Sequence, residues 1–588
     1  MKARLVPFFA LGLVSLLACA GEGSKPALIH VGIEEGDAYK VQTSFFEVER
    51  GSDLSFRVFL EEGAVIESVG YDSYELSPFY QGCLVTLKNV LYPTLVSLKV
   101  GFSGVTIHPG EGRFIDNDGP TLTLPKYGTR KRENAPIGTR YLKKEGYAQI
   151  GWNDEPDLGG NYYGFGWRYD SDITDLYPVF VKEDELPSSA YEEIGTDIAI
   201  TSYINDADRC VLPSQIEGKE VTSLVADSVH LPNATTLVLP SSLKEVAKGA
   251  INAPKLENLY FYDGLEGIFD DSLDAPQLEK AYINAVIDPR CVGTYWDVFQ
   301  DKLDFLIEHK DDKKIVIFGG SSCRYGFDSP LIEEAFPDYT VVNMGYFAYI
   351  NAFPQLEIVK NYLNPGDVLL HTPEFDASFR QFFLLHEFED RFFYSLEAGY
   401  GALTSINLQR VGKLFSSFSA FQAFRKELPP LSYRVSPLYG DDDGNFHEYR
   451  TYNENGDMTL PREPTQEHGR IGQAEFEYSV HNVFEYNSTY DMVGSANAVY
   501  HELEGMGVRV LFSYAPKNID CLSKSSTKEV RAELERYIQD NIEIPVISSL
   551  EESLYTADHF YLIDNHLTKE GAKERTLQII EDLRPYLV

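Results

Sequence analysis

The chain has 588 residues and a formal net charge of −39 at pH 7, from 51 Lys and Arg against 90 Asp and Glu. That length predicts several domains. The acidic balance argues against nucleic acid as a partner and against direct electrostatic binding to anionic lipid. Apart from Cys19, the cysteines are Cys83, Cys210, Cys291, Cys323 and Cys521. They lie far apart with no CxxC pair, so neither a zinc site nor a disulfide framework is indicated, and isolated bridges stay open.

Residues 1–18 read as an export signal. Lys2 and Arg4 precede an apolar run, Leu5 to Leu17, that is too short for a permanent bilayer span. Leu16-Leu17-Ala18-Cys19 resembles the lipobox of bacterial lipoproteins. The resemblance implies cleavage before Cys19 and acylation of its thiol, with residues 19–27 as a tether. The expected location is then the bacterial cell envelope, exported, lipid-anchored and surface-exposed. Ordinary secretion is the alternative. No later segment is long and apolar enough to span a membrane.

Residues 28–107 contain short, partly alternating apolar runs separated by Gly, Asp, Asn and Pro, which predicts a small β module. In residues 108–187, Gly151-Trp152-Asn153, the Asp157 to Gly160 turn and the strand Leu176 to Val181 resemble the Listeria–Bacteroides repeat of internalin-type surface proteins. That resemblance implies a β-grasp-like spacer. Residues 188–296 carry a countable period. Pro232, Pro254 and Pro276 are 22 apart, as are Leu237, Leu259 and Ala281, and Leu224, Val246 and Ile268. A strand-like repeat of this length is the signature of a leucine-rich solenoid, whose units bury their apolar faces only by stacking. The opening VLPSQIEGKEVTSL resembles the first unit of BspA-type repeats. A short solenoid of this kind predicts a spacer or a docking surface for a protein partner.

Asp301 to Lys314 reads as a charged, polar bridge. Residues 310–588 then alternate apolar strands with amphipathic helices, the rhythm of a doubly wound parallel sheet in a three-layer, flavodoxin-like α/β domain. The rhythm fails between about 377 and 488, which predicts an insertion roofing the sheet edge. The first strand, Ile315 to Phe318, breaks at Gly319-Gly320 and is followed by Ser321 and Ser322. A strand that turns into a helix there places small polar residues at the carboxyl edge of the sheet, where open α/β folds bind ligands. A glycine-rich turn with no chemistry is the plainer alternative.

This last domain resembles the SGNH hydrolases, serine esterases and acyltransferases related to the GDSL family. Gly320-Ser321-Ser322-x-x-x-Gly326 resembles their first block, Val342-Asn343-Met344-Gly345 their second, and Asp564-Asn565-His566-Leu567 their last. The resemblance implies Ser322 as nucleophile, His566 as general base, and the N–H groups of Ser322 and Gly345 as oxyanion donors. Asp564 is the candidate for orienting His566, although the family's usual acid stands one residue earlier, where this chain has Ile563. The third block is absent. Leu370-His371-Thr372-Pro373-Glu374 takes its place, so the oxyanion donor that block would supply is unassigned. Ser321, Asn343, His371 and Glu374 are candidates for supporting roles. No metal or cofactor is implied. Two functions follow: a lipid-anchored esterase or O-acyltransferase acting on acetylated polysaccharide, or a surface adhesin that keeps a degenerate hydrolase fold and binds its partner through the repeats.

Overall fold

The computed structural model describes residues 27–587 apart from several stretches, the longest being 126–134, 285–297, 428–452 and 466–491. Residues 1–26 are outside the described residues, so the expected leader and Cys19 are not seen, and neither is Cys291. Contacts divide the chain into two compact units, Met1–Leu76 with Gly82–Gly101, and Ser77–Gln81 with Phe102–Val588. Cys83, Cys210, Cys323 and Cys521 are buried and form no disulfide with one another. No helix among the described residues is long and apolar enough to cross a membrane.

The first unit is built from β-strands. Leu28–Ile33 pairs antiparallel with Phe45–Glu49 and parallel with Thr94–Val96, and Leu54–Leu60 pairs antiparallel with Gly82–Leu87. Alternation puts Ile29, Val31, Phe56, Val58, Val85 and Leu87 into one core.

In the second unit, Tyr147–Asn153 and Asp175–Lys182 form an antiparallel pair. Beyond it, residues 203–284 form parallel ladders. Thr236 pairs with Asn258 and Asn258 with Lys280; Val229 pairs with Ile251 and Ile251 with Leu273. Each of these four steps is 22 residues, whereas the entry steps Tyr203 to Val229 and Arg209 to Thr236 are longer; from residue 229 on, each 22-residue segment places the same apolar columns above the last. Leu237, Leu259 and Ala281 are fully buried for that reason. One side of this stack is covered by the chain itself: Ala148, Ile150 and Val181 pack on Val211, Val238 and Tyr260. The Tyr262 hydroxyl and the Asn284 amide both donate to the Gln149 carbonyl, each at 2.9 Å.

Of the stretch expected as a polar bridge, Asp301 to Lys314, Lys314 opens a strand and residues 301–308 belong to the helix Val298–Glu308. Its charges hid a buried face made by Phe299, Leu303 and Leu306. Four parallel strands follow, in the order Thr340–Asn343, Lys314–Gly319, Val368–Thr372, Arg509–Phe512. Ile315 and Ile317 face one apolar layer, with Ile332, Ile579 and Leu583. Val316 and Phe318 face the other, with Phe353, Leu356 and Leu503. A strand apolar on both faces has to be covered by helices on both faces. That second layer runs without interruption into the buried columns of residues 198–283, so ladders and sheet share one core.

The described parts of residues 377–488 do two different things. The helix Leu414–Lys426 leaves the sheet and packs on the ladders. Phe418 meets Phe261 edge-on at 5.2 Å, and the Ser419 hydroxyl accepts from the Ile268 N–H at 2.9 Å. Residues 453–458 pack beside the sheet's carboxyl edge and bond to it through Asn455 and Asp457. A simple roof over the edge is therefore not what these segments form.

Candidate active site

The sheet order reverses between Lys314–Gly319 and Val368–Thr372, and the crevice at such a reversal is where parallel α/β sheets gather ligands. Gly320 opens the turn after the first of these strands. A Cβ on Gly320 would collide with the Glu374 carboxylate, which comes from beyond the end of the second. The chain then winds into the short helix Ser321–Gly326. The loop before the final helix, Lys569–Leu587, carries His566 across the crevice.

His566 meets a serine there, and it is Ser321. Its Nε2 lies 2.8 Å from Ser321 Oγ. Ser322, the expected nucleophile, is fully buried, and its hydroxyl has no hydrogen-bond partner among the described residues. Successive helical residues point about 100° apart, so only one of two adjacent serines can face the histidine. The GDS-like spacing chose the neighbour.

Asp564 is also corrected. It forms an ion pair with Lys517, both groups buried, while the Nδ1 of His566 has no hydrogen-bond partner. The arrangement among the described residues is thus a Ser–His pair without an orienting carboxylate. The imidazole is held by stacking instead. Tyr325 lies parallel to it, centroids 3.8 Å apart and planes 7° apart. Burial, then the positive charges of Arg324 and Arg462, push the His566 pKa well below its ordinary value. The ring is neutral at physiological pH, the form that can accept a proton.

The expected oxyanion donors are already engaged. The Ser322 N–H donates to Glu374 Oε1 at 2.6 Å, and the Gly345 N–H donates to Asn343 Oδ1 at 2.9 Å. Gly345 has a steric role: a Cβ there would come within 2.6 Å of the Arg324 nitrogen and closer still to Cys323. Gly345→Ala is therefore expected to destabilise by about 1–3 kcal/mol through overpacking. Urea melts of the two proteins check this, and an unchanged midpoint would refute it.

Glu374, 4% exposed, touches more of the site than the sequence suggests. Oε1 lies 3.4 Å from Ser321 Oγ, and Oε2 accepts from the Asn565 amide at 2.5 Å. Below the turn, Asn343 donates to the Cys323 carbonyl at 2.9 Å and to Asp457 Oδ1 at 2.8 Å. Asp457 also accepts from the Ser329 N–H (2.6 Å), the Ser329 hydroxyl (2.7 Å) and the Asn453 amide (3.1 Å). Lys302 donates to the Asn343 and Gly456 carbonyls at 2.8 Å each. Sequence reasoning missed Lys302, Asp457 and Asn565. Only Asn565 carried a signal, its position beside His566.

His371 is fully buried in the middle of the sheet, with Nδ1 2.7 Å from the Tyr500 hydroxyl. Among the described residues no hydrogen bond joins it to Ser321 or His566. Burial pushes its pKa down to about 3. Both His371 and His566 therefore resist protonation when folded, while the unfolded chain takes up protons near pH 6.5. Their contribution to stability is complete above that pH and falls away as pH drops below it. By pH 5 the loss is about 2 kcal/mol for His371, and His566 adds to it in the same direction. Thermal melts at pH 7 and pH 5 test this: His371→Asn should show a smaller acid penalty than wild type, and equal penalties would refute it.

Compared with protein-family models and with the curated proteins, the sequence matches none.

Proposed function

We propose that the protein is a lipid-anchored surface esterase or O-acyltransferase of the SGNH type, with Ser321 as nucleophile and His566 as base. The carrying observation is the 2.8 Å contact between those two side chains, 245 residues apart, in the crevice of a parallel sheet. The order serine, glycine, histidine along the chain supports the family reading, and the 22-residue ladders support the leucine-rich-repeat reading. In the proposed reaction Ser321 Oγ attacks the acyl carbon of an ester and its proton passes to His566 Nε2. The tetrahedral intermediate then expels the alkoxide, which takes that proton back. Water or an acceptor hydroxyl repeats the sequence on the acyl-enzyme. Acetyl esters of polysaccharide are the proposed substrates, by family analogy. Cys19 would carry the anchor.

Fluorophosphonate labelling followed by peptide mapping tests the reading. The adduct is expected on Ser321, and the absence of any serine adduct would remove the enzyme proposal.

A second reading is retained because one observation favours it. His566 has no orienting carboxylate among the described residues, and both expected oxyanion N–H groups are engaged internally. A non-catalytic surface protein binding a partner through the repeats fits those facts. It predicts no Ser321-dependent turnover of p-nitrophenyl acetate.

A further inference from the structure

An acyl-transfer site needs donors aimed at the oxygen that becomes negative, and here the Gly345 N–H is committed to Asn343. What remains beside Ser321 is marked by the Glu374 carboxylate. A carboxylate is planar, with two oxygens on one carbon, as an acyl ester is. This one has Oε1 3.4 Å from the Ser321 hydroxyl and on the Ser322 N–H at 2.6 Å, and Oε2 on the Asn565 amide at 2.5 Å. It stands over Gly320, where any side chain would displace it.

Resting on the Ser321–His566 reading, we propose that the Ser322 N–H and the Asn565 side-chain amide are the oxyanion donors, and that Glu374 occupies their position until an acyl ester displaces it. Asn565 is supplied from the histidine loop. Loop and turn are coupled, because the residue beside the base also holds the oxyanion. When Ser321 Oγ bonds to the acyl carbon, the carbonyl π pair moves onto oxygen. That oxygen takes the place of Oε1 on the Ser322 N–H, and the Asn565 amide turns to it from the place of Oε2, while the hydroxyl proton rests on His566. Collapse of the intermediate restores the carbonyl and breaks the ester C–O bond. Glu374 forms no covalent bond; it competes with substrate for the two donors.

Turnover of p-nitrophenyl acetate and inhibition by phenylboronic acid, which forms a tetrahedral adduct with a serine, test the assignment. Asn565→Ala should lower kcat about 10²-fold with KM within about threefold, and weaken phenylboronate inhibition in parallel. Glu374→Ala should raise kcat/KM several-fold, since no side chain then has to leave. Circular dichroism and melting temperature confirm that each variant folds, and Asn565→Asp serves as a second replacement if Asn565→Ala does not. Wild-type turnover that depends on Ser321 but is unchanged in the Asn565 variants would overturn this proposal and leave the esterase reading standing. A wild type that neither turns over ester nor binds phenylboronate would overturn both. Loss of turnover in Glu374→Ala, with Asn565→Ala unaffected, would make Glu374 a required group and also overturn it.

Discussion

Ser321→Ala is expected to lower ester turnover by at least about 10³-fold, while Ser322→Ala stays within about threefold of wild type. The two serines are adjacent and chemically identical, so only their direction separates them. Ser321 Oγ lies 2.8 Å from the base, whereas Ser322 Oγ is fully buried with no hydrogen-bond partner. A thousandfold loss corresponds to about 4 kcal/mol of transition-state stabilisation, the scale expected when a nucleophile is removed and binding is kept. Ser322→Ala also deletes a buried hydroxyl that makes no bond, so it should leave stability unchanged or raise it by about 1 kcal/mol. Steady-state kinetics on both variants decide the matter. Activity surviving in Ser321→Ala and vanishing in Ser322→Ala would restore the family's spacing and show that the turn rotates in solution.

The largest expected effect on stability is at Asp457. Its carboxylate is 3% exposed and accepts four hydrogen bonds, tying the 453–458 segment to Ser329 and Asn343 under the site. Burial pushes its pKa up, and burial followed by the Arg324 charge pushes that of nearby Lys302 well down. The Asp457 charge offsets only part of the lowering at Lys302. Asp457→Ala removes one partner, leaves Lys302 buried beside Arg324, and strands four donors. A cost of about 3–5 kcal/mol is expected, because several buried donors lose their acceptor at once. Asp457→Asn should cost less, since the amide oxygen still accepts. Urea unfolding followed by hydrogen exchange at Thr340–Asn343 measures the effect. A cost under about 1 kcal/mol would show that the segment holds its place by other contacts. Because Asn343 also holds Cys323 and Gly345, the same variant should reduce turnover.

Much of the architecture is carried by periodicity. Apolar columns 22 residues apart oblige the chain to stack, since no single segment can bury its own face. Runs such as Ile315 to Phe318, apolar on both faces, oblige a sheet to be covered on both sides. Such signals survive in the sequence because burial is local to a residue's own pattern. Where charge and burial conflict they fail: Asp301 to Lys314 looked like a bridge because residues such as Lys302 and Asp304 are charged, yet both are buried on the helix Val298–Glu308.

The site divides in the same way. Sequence alone placed a serine turn after the first strand and His566 before the last helix, because block order and strand breaks are properties of the chain. Which serine faces the imidazole, which carboxylate stands beside it and which amide meets that carboxylate were settled only by the tertiary structure. Those depend on a helical rotation of about 100° per residue and on contacts between segments about 190 to 250 positions apart. Asp564 is close to His566 in sequence and turned away from its ring nitrogen to Lys517; Glu374 is distant in sequence and meets the serine turn directly. Linear spacing fixes which residue types reach the crevice, but the direction of each side chain follows from packing, and chemistry depends on direction.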